Sequence, residues 1–217
     1  MKKVVIIGSP GAGKTTLAKA LGSIRKLKVY HLDRFFWLRN WQGKDRETRI
    51  DTLQKLVLEK QWIIEGTYLA SSGPRLEAAD TIIFLDIPPL TCLWRIVTRH
   101  RRSSGSSRRD IPMGCTDKLT PLRVWKVLVF PFKDRERLIQ KLRDYESKRI
   151  IRLRSDKEVT DFLARQMLGA DEQCYKAPST LPEARPSAPR MTTVCEKCYT
   201  TSLLETQSIQ QLRSISG

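Results

Sequence analysis

Gly8, Gly13, Lys14 and Thr15 stand in the spacing G-x-x-x-x-G-K-[ST], inside the run Gly8-Ser9-Pro10-Gly11-Ala12-Gly13-Lys14-Thr15-Thr16. The chemistry open to such a run is the wrapping of a polyphosphate by backbone N–H groups. That demands small residues where the main chain approaches the anion. A helix opening directly after it offers further N–H groups and the positive end of its dipole. Lys14 then serves as a fixed positive charge at the β- and γ-phosphates, and the Thr15 hydroxyl as a ligand for Mg²⁺. The flanking sequence suits this use. Val4 to Ile7 is a continuous apolar run, as in a buried parallel strand, and residues 15–21 read as a helix. The expected cofactors are ATP and Mg²⁺, with residues 8–16 binding the nucleotide.

Three carboxylates fall where strands are expected to end. Asp33 follows Lys-Val-Tyr-His-Leu, Glu65 follows Trp-Ile-Ile, and Asp86 lies in Thr-Ile-Ile-Phe-Leu-Asp-Ile. In an open α/β sheet ligands bind at the carboxyl edge of the strands, the edge that also holds the phosphate-type turn. A carboxylate there can hold Mg²⁺ or take a proton from an attacking hydroxyl; the competing use is a helix cap or loop ion pair. Thr15, Glu65 and Asp86 are therefore the candidate metal ligands, and Asp33, Arg34 and Glu65 the candidate acceptor-binding residues. Asp33 is also a candidate catalytic group. After Asp33 come Arg34, Phe35, Phe36, Trp37, Leu38, Arg39, Asn40 and Trp41. Aromatics among arginines suit a ring-bearing or phosphorylated acceptor, and they suit equally well a helix that buries its rings in the core.

From Arg95 to Arg109 the chain carries Arg95, Arg99, Arg101, Arg102, Arg108 and Arg109 with no acidic residue between them. Such a run can be a solvated face, a nucleic-acid stripe, or a set of arginines that closes over a γ-phosphate and neutralises its charge. Cys195 and Cys198 have the spacing of half a zinc site, but no second pair or histidine completes it, and His31 and His100 form no metal set.

These residues need a scaffold, and the hydrophobic pattern supplies one. Strands are expected at residues 28–32, 62–64, 81–87 and 150–153 besides the first, with helices near 47–60, from about 90, and from about 121. Pro131 is expected to kink or end the helix that starts near Pro121, with a second helical run continuing through Tyr145. Ser155 and Glu158 form a capping box ahead of a last helix to Met167. Strands alternating with helices imply a parallel sheet covered on both faces. The expectation is a three-layer α/β/α P-loop NTPase fold with a five-stranded parallel sheet over residues 1–168. A short arginine-rich lid is expected at about 99–113. From Gly169 onward prolines among Ser, Thr and Ala replace apolar periodicity, as in a disordered tail over 169–217.

The whole chain has 217 residues, enough for one well-buried domain, and a net charge of +17. That charge points toward anionic partners: phosphorylated small molecules, nucleic acid or anionic surfaces. No apolar run approaches the length of a bilayer span, no secretory signal is read, and five cysteines form no regular framework. A cytoplasmic monomer with free thiols and no membrane partner is the resulting expectation.

Taken together, the motifs resemble those of the nucleoside monophosphate kinase-like P-loop proteins, adenylate kinase and its relatives. Within that group the chain looks most like the bacterial adenylate-kinase-related proteins often labelled topology modulation protein. The resemblance rests on the phosphate loop, His-Leu-Asp33, Ile-Ile-Glu65-Gly-Thr-Tyr, Ile-Phe-Leu-Asp-Ile-Pro and Trp-Arg95-Ile-Val-Thr-Arg99-His-Arg101. It implies a γ-phosphoryl transfer from ATP, with Arg95 flanking the base, Arg99 reaching the triphosphate and Arg108 contacting phosphate from the lid. Lys14, Asp33, Arg99 and Arg108 are then the catalytic set. The adenylate kinase run D-G-F-P-R is replaced here by Glu65-Gly-Thr-Tyr-Leu, so the arginine that grips an acceptor monophosphate has no counterpart; Arg75 is nearby but not equivalent. The alternative function is a nucleotide-dependent nucleic-acid-binding protein without kinase activity, which the charge and the family label both invite.

Overall fold

A computed structural model describes residues 1–102, 115 and 120–168. The expected tail at 169–217, with Cys195 and Cys198, lies outside the described residues, as do Arg108 and the expected lid beyond residue 102. By its internal contacts the chain divides between residues 179 and 180, and every described residue belongs to the first unit.

Strand β1 (Lys3–Gly8) leads through the glycine-rich turn into α1 (Lys14–Arg25). Then come β2 (Val29–His31), the short α2 (Leu32–Phe36), a 3₁₀ turn at Arg39–Trp41 and α3 (Arg46–Val57). Strand β3 (Trp62–Glu65) is followed by a second 3₁₀ turn at Leu69–Ser71 and by α4 (Gly73–Ala78). The chain continues through β4 (Thr81–Leu85), α5 (Pro89–Arg102), α6 (Pro121–Arg143), β5 (Arg149–Leu153) and α7 (Asp156–Met167). Among the described residues every strand pairing within the sheet is parallel and the order is β2-β3-β1-β4-β5, so β1 sits in the centre.

Because the sheet is covered on both faces, its strands are apolar at successive positions rather than alternately. Val4, Ile6, Ile63, Ile83, Leu85, Ile151 and Leu153 turn one way and pack with Leu17, Leu21 and Phe162 from α1 and α7. Val5, Ile7, Trp62, Ile64, Ile82 and Phe84, equally buried, turn the other way by the two-residue repeat of a strand. The buried residues of α3 and α4 (Leu53, Leu56, Leu76) and of the second half of α6 (Leu138, Ile139, Leu142) complete the opposite layer. This is the expected three-layer α/β/α arrangement with five parallel strands. Among the described residues no helix is long and apolar enough to cross a membrane.

One expectation about elements is corrected. Helix α6 does not end at Pro131 but runs through it to Arg143. A proline inside a helix forfeits one backbone bond, at a cost of about 3 kcal/mol. Burial of Val127 and Phe130 before it and of Leu138, Ile139 and Leu142 after it outweighs that cost. The expected capping box at the start of α7 is half-formed: Ser155 Oγ accepts from the Glu158 N–H at 3.2 Å. The Glu158 carboxylate reaches back one residue further than the motif requires, to the Arg154 N–H at 2.8 Å.

Gly8 closes β1 where the chain must leave the sheet, with φ at +150°. A Cβ there would stand 2.5 Å from the Leu85 carbonyl oxygen of the neighbouring strand. Both strain and contact oppose any side chain, so Gly8→Ala should lower unfolding free energy by about 2 kcal/mol or more. Urea denaturation checks this; a variant as stable as the wild type would mean that the β1–β4 approach is slack.

Candidate functional site

The turn between β1 and α1 lies at the carboxyl edge of the central strand. Gly13 occupies the N-cap of α1 with φ at +96°, a left-handed backbone that an L side chain resists. This conformation aims the first N–H groups of α1 back over the turn. The Lys14 ammonium lies over the same turn and donates to the carbonyls of Gly8 at 3.0 Å and Ser9 at 2.9 Å. Ser9 and Ala12 are buried, while Pro10, Gly11, Lys14 and Thr15 are half-exposed and Thr16 is exposed.

Glu65 ends β3, in register with Ile6 of β1 and His31 of β2. It is only 6% exposed. A carboxylate so buried must be hydrogen-bonded. Its Oε1 accepts from Thr15 Oγ1 at 3.1 Å and meets His31 Nδ1 at 2.9 Å. Two of the three side chains expected to share a metal ion, Thr15 and Glu65, are thus direct neighbours. Among the described residues no three His, Cys, Asp or Glu side chains cluster as a metal cage. Mg²⁺ at a polyphosphate needs no cage, because phosphate and water supply most of its six oxygens. Two adjacent protein oxygens, from Thr15 and Glu65, fit that demand.

The residues after Glu65 tie it to the loop. Thr67 Oγ1 accepts from the Gly8 N–H at 3.3 Å and donates to the Gly8 carbonyl. Arg75, on α4, is completely buried and donates to the Thr67 carbonyl. Burial pushes its guanidinium down to about 10, against the pull of Tyr68 and Glu65.

Asp33 sits in α2, two residues past the end of β2, and accepts a hydrogen bond from the Tyr68 hydroxyl. It does not cap that helix; His31 occupies the N-cap. Arg34 is exposed. The aromatic run after it divides between the two uses weighed from sequence. Phe36 is buried in the core, whereas Trp37 is half-exposed and donates from Nε1 to Tyr68 at 2.6 Å. The Arg49 guanidinium lies 5.8 Å from the Phe36 ring and 5.7 Å from the Trp37 ring.

Arg95 reaches the phosphate-type turn from α5, donating to the Ala12 carbonyl at 3.1 Å and pairing with Asp156. Arg99, one turn further along α5, is half-exposed. Asp86 has different company from that expected of a metal ligand. Arg135 of α6 holds it with two bonds, at 2.8 and 3.0 Å, and Arg152 of β5 donates to the same carboxylate at 2.9 Å. A cleft of about 200 Å³ beside this cluster is lined by Ser9, Ile87, Pro88, Phe130 and Pro131 among others. His31, Thr67, Arg135 and Arg152 were not singled out from the sequence. The one available signal was the pattern Arg149-Ile-Ile-Arg152-Leu, which sets a charge inside a strand otherwise fit for burial and so requires a partner.

No family model matches the chain. No curated protein matches it either. Among solved structures, an unliganded sugar kinase from Janibacter sp. is similar at 16% identity, over 78% of this chain and 95% of that one, with a TM-score of 0.43. A candidate kinase from Chloroflexus aurantiacus is similar at 15% identity, over 76% and 96%, with a TM-score of 0.45. Likeness at this level carries no functional weight. What the coordinates themselves define is a parallel α/β protein whose glycine-rich strand-to-helix turn, Lys14, Thr15 and Glu65 meet at one sheet edge.

The two arginines hold the Asp86 carboxyl below the usual aspartate range although burial opposes this. Asp86 is 10% exposed, Arg152 13% and Arg135 29%, so removing the acid leaves two facing cations poorly screened. Asp86→Asn should cost about 2–3 kcal/mol near neutral pH. Because the folded value is the lower one, this contribution is complete above the ordinary aspartate range and is lost as pH falls through the folded value. Urea unfolding as a function of pH checks it: the gap between wild type and variant should narrow only at the acid end. A gap that persists unchanged there would assign the loss to packing and not to charge.

Proposed function

We infer that the protein is an ATP·Mg²⁺-dependent phosphotransferase of the P-loop type, akin to the adenylate-kinase-related proteins its motifs resemble. The observation that carries this reading is the Thr15–Glu65 contact beside Lys14 at the mouth of the glycine-rich turn. A structural turn has no use for a lysine, a hydroxyl and a buried carboxylate at one point; a polyphosphate with its cation uses all three.

In this reading the N–H groups of residues 11–16 face the phosphates. Lys14 exchanges the carbonyls of Gly8 and Ser9 for β- and γ-phosphate oxygens. Thr15 and Glu65 hold Mg²⁺, which when bound neutralises charge between the β- and γ-phosphoryl groups. Glu65 keeps its orientation through His31. Arg95 lies against the turn at Ala12, on the side where the base would sit. Arg99, with Arg108 from the lid, would neutralise the transferring group, and residues 1–168 would form the working domain. Transfer of this kind is driven by positioning and by charge neutralisation. Asp86, engaged by two arginines, fits this scheme as a brace for β4 and α6 more readily than as a metal ligand. The nucleic-acid alternative draws on the net charge, the arginine run and the family label, and makes no use of the buried Glu65 wiring. The cytoplasm is the compartment we assign.

Lys14→Ala should abolish ATP binding in calorimetry while circular dichroism and melting temperature stay close to wild type. The ammonium's role in this reading is charge at the phosphates, and its bonds to the Gly8 and Ser9 carbonyls lie within its own loop. Unchanged nucleotide affinity would refute the phosphate-loop reading.

A further inference from the structure

We propose that the acceptor is a neutral hydroxyl compound with a ring-shaped body, and that Asp33, oriented by a Trp37–Tyr68 hydrogen-bond chain, takes its proton. The inference rests on the phosphotransfer reading and specifies the side of that reaction which the phosphate loop leaves open.

The direction of the chain is fixed by chemistry. An indole N–H can only donate, so the Tyr68 oxygen accepts from Trp37 Nε1 at 2.6 Å. Tyr68 then spends its single proton on Asp33 Oδ1. Burial, followed by the charge of Asp33, pushes the Tyr68 hydroxyl well above its ordinary range, which keeps it the donor. Asp33 thus accepts a hydrogen bond from Tyr68, and it stands half-exposed two residues past a strand end that lies level with Glu65. Tyr68 adopts φ +26° and ψ +63°, a backbone that non-glycine residues avoid. Such strain is retained where a side chain must be aimed.

A preformed carboxylate suits one type of acceptor. A phosphate acceptor already carries a nucleophilic oxyanion and needs no base. A hydroxyl needs a base and tolerates the charge. The arginine of α4 is not placed to reverse this preference. Arg75 is completely buried and turned onto the Thr67 carbonyl. In the segment after Asp33, beside the exposed Arg34, Trp37 and Trp41 are half-exposed with ring centroids 6.0 Å apart at 74°. Asn40 and Trp41, both with positive φ, make the turn that sets the second ring there. Indole faces of this kind bind the body of a ring compound.

The step balances without a further reactant. The acceptor O–H bond breaks and its proton goes to Asp33. The acceptor oxygen bonds to the γ-phosphorus of ATP. The bond from that phosphorus to the bridging oxygen breaks, and its electron pair leaves with ADP.

The test uses the full chain with γ-labelled ATP and Mg²⁺. One arm offers hexoses, myo-inositol and nucleosides; the other offers nucleoside monophosphates and hexose phosphates. Label should pass to at least one neutral compound and not to the monophosphates. Asp33→Asn should then lower kcat by about 10² or more with the KM for ATP within a few-fold of wild type. Tyr68→Phe keeps the ring and should lower kcat about tenfold at unchanged KM for ATP, a split that loss of packing alone would not produce. Transfer to monophosphates, no transfer to any neutral compound, or full turnover in Asp33→Asn overturns the proposal. In each of those cases calorimetry with ATP decides separately whether the phosphotransfer reading still stands.

Discussion

The buried Glu65 carboxylate is the constraint around which the functional edge is arranged. A charge with so little exposure is tolerated only when its oxygens are occupied by donors. The donors come from two different elements, Thr15 at the start of α1 and His31 at the end of β2. One side chain therefore ties the ends of β2 and β3 to the start of α1 beside the glycine-rich turn. The residues that follow it extend the same tie. Thr67 clamps Gly8, and Arg75 clamps Thr67, so the exit of β1 and the exit of β3 cannot move independently.

Several cations around this edge are engaged by a backbone carbonyl or a carboxylate. Arg75 holds a carbonyl, while Arg135 and Arg152 share Asp86. Lys14 and Arg95, closest to the turn, bond main-chain oxygens of the turn itself, and Arg95 also pairs with Asp156. A carbonyl competes poorly with a phosphate for an ammonium or guanidinium, so in the proposed reading the bonds to the turn are those a polyphosphate would exchange.

Much of this was legible in the chain. The five strands, the parallel sheet and the turn could be read from apolar runs, glycine spacing and the strand–helix alternation. Asp33 and Glu65 were legible as strand-end acids, but their partners were not. His31 and Thr67 are separated from Thr15 and Gly8 by long stretches of sequence, and only the sheet order brings them together. The sequence offered Asp86 as a further candidate metal ligand after Glu65. It could not show that Arg135, on a helix expected to kink or end at Pro131, would reach back to neutralise it. The aromatic run after Asp33 was ambiguous because both readings apply, Phe36 serving the core and Trp37 the polar chain to Asp33.

Hydrogen exchange of the backbone amides, with and without ATP·Mg²⁺, tests the central assignment most directly. If the N–H groups of residues 11–16 wrap the phosphates, their exchange should slow on nucleotide addition, together with that of the Glu65–Thr67 segment wired to them. Unchanged exchange across the turn, with protection arising elsewhere, would contradict the account.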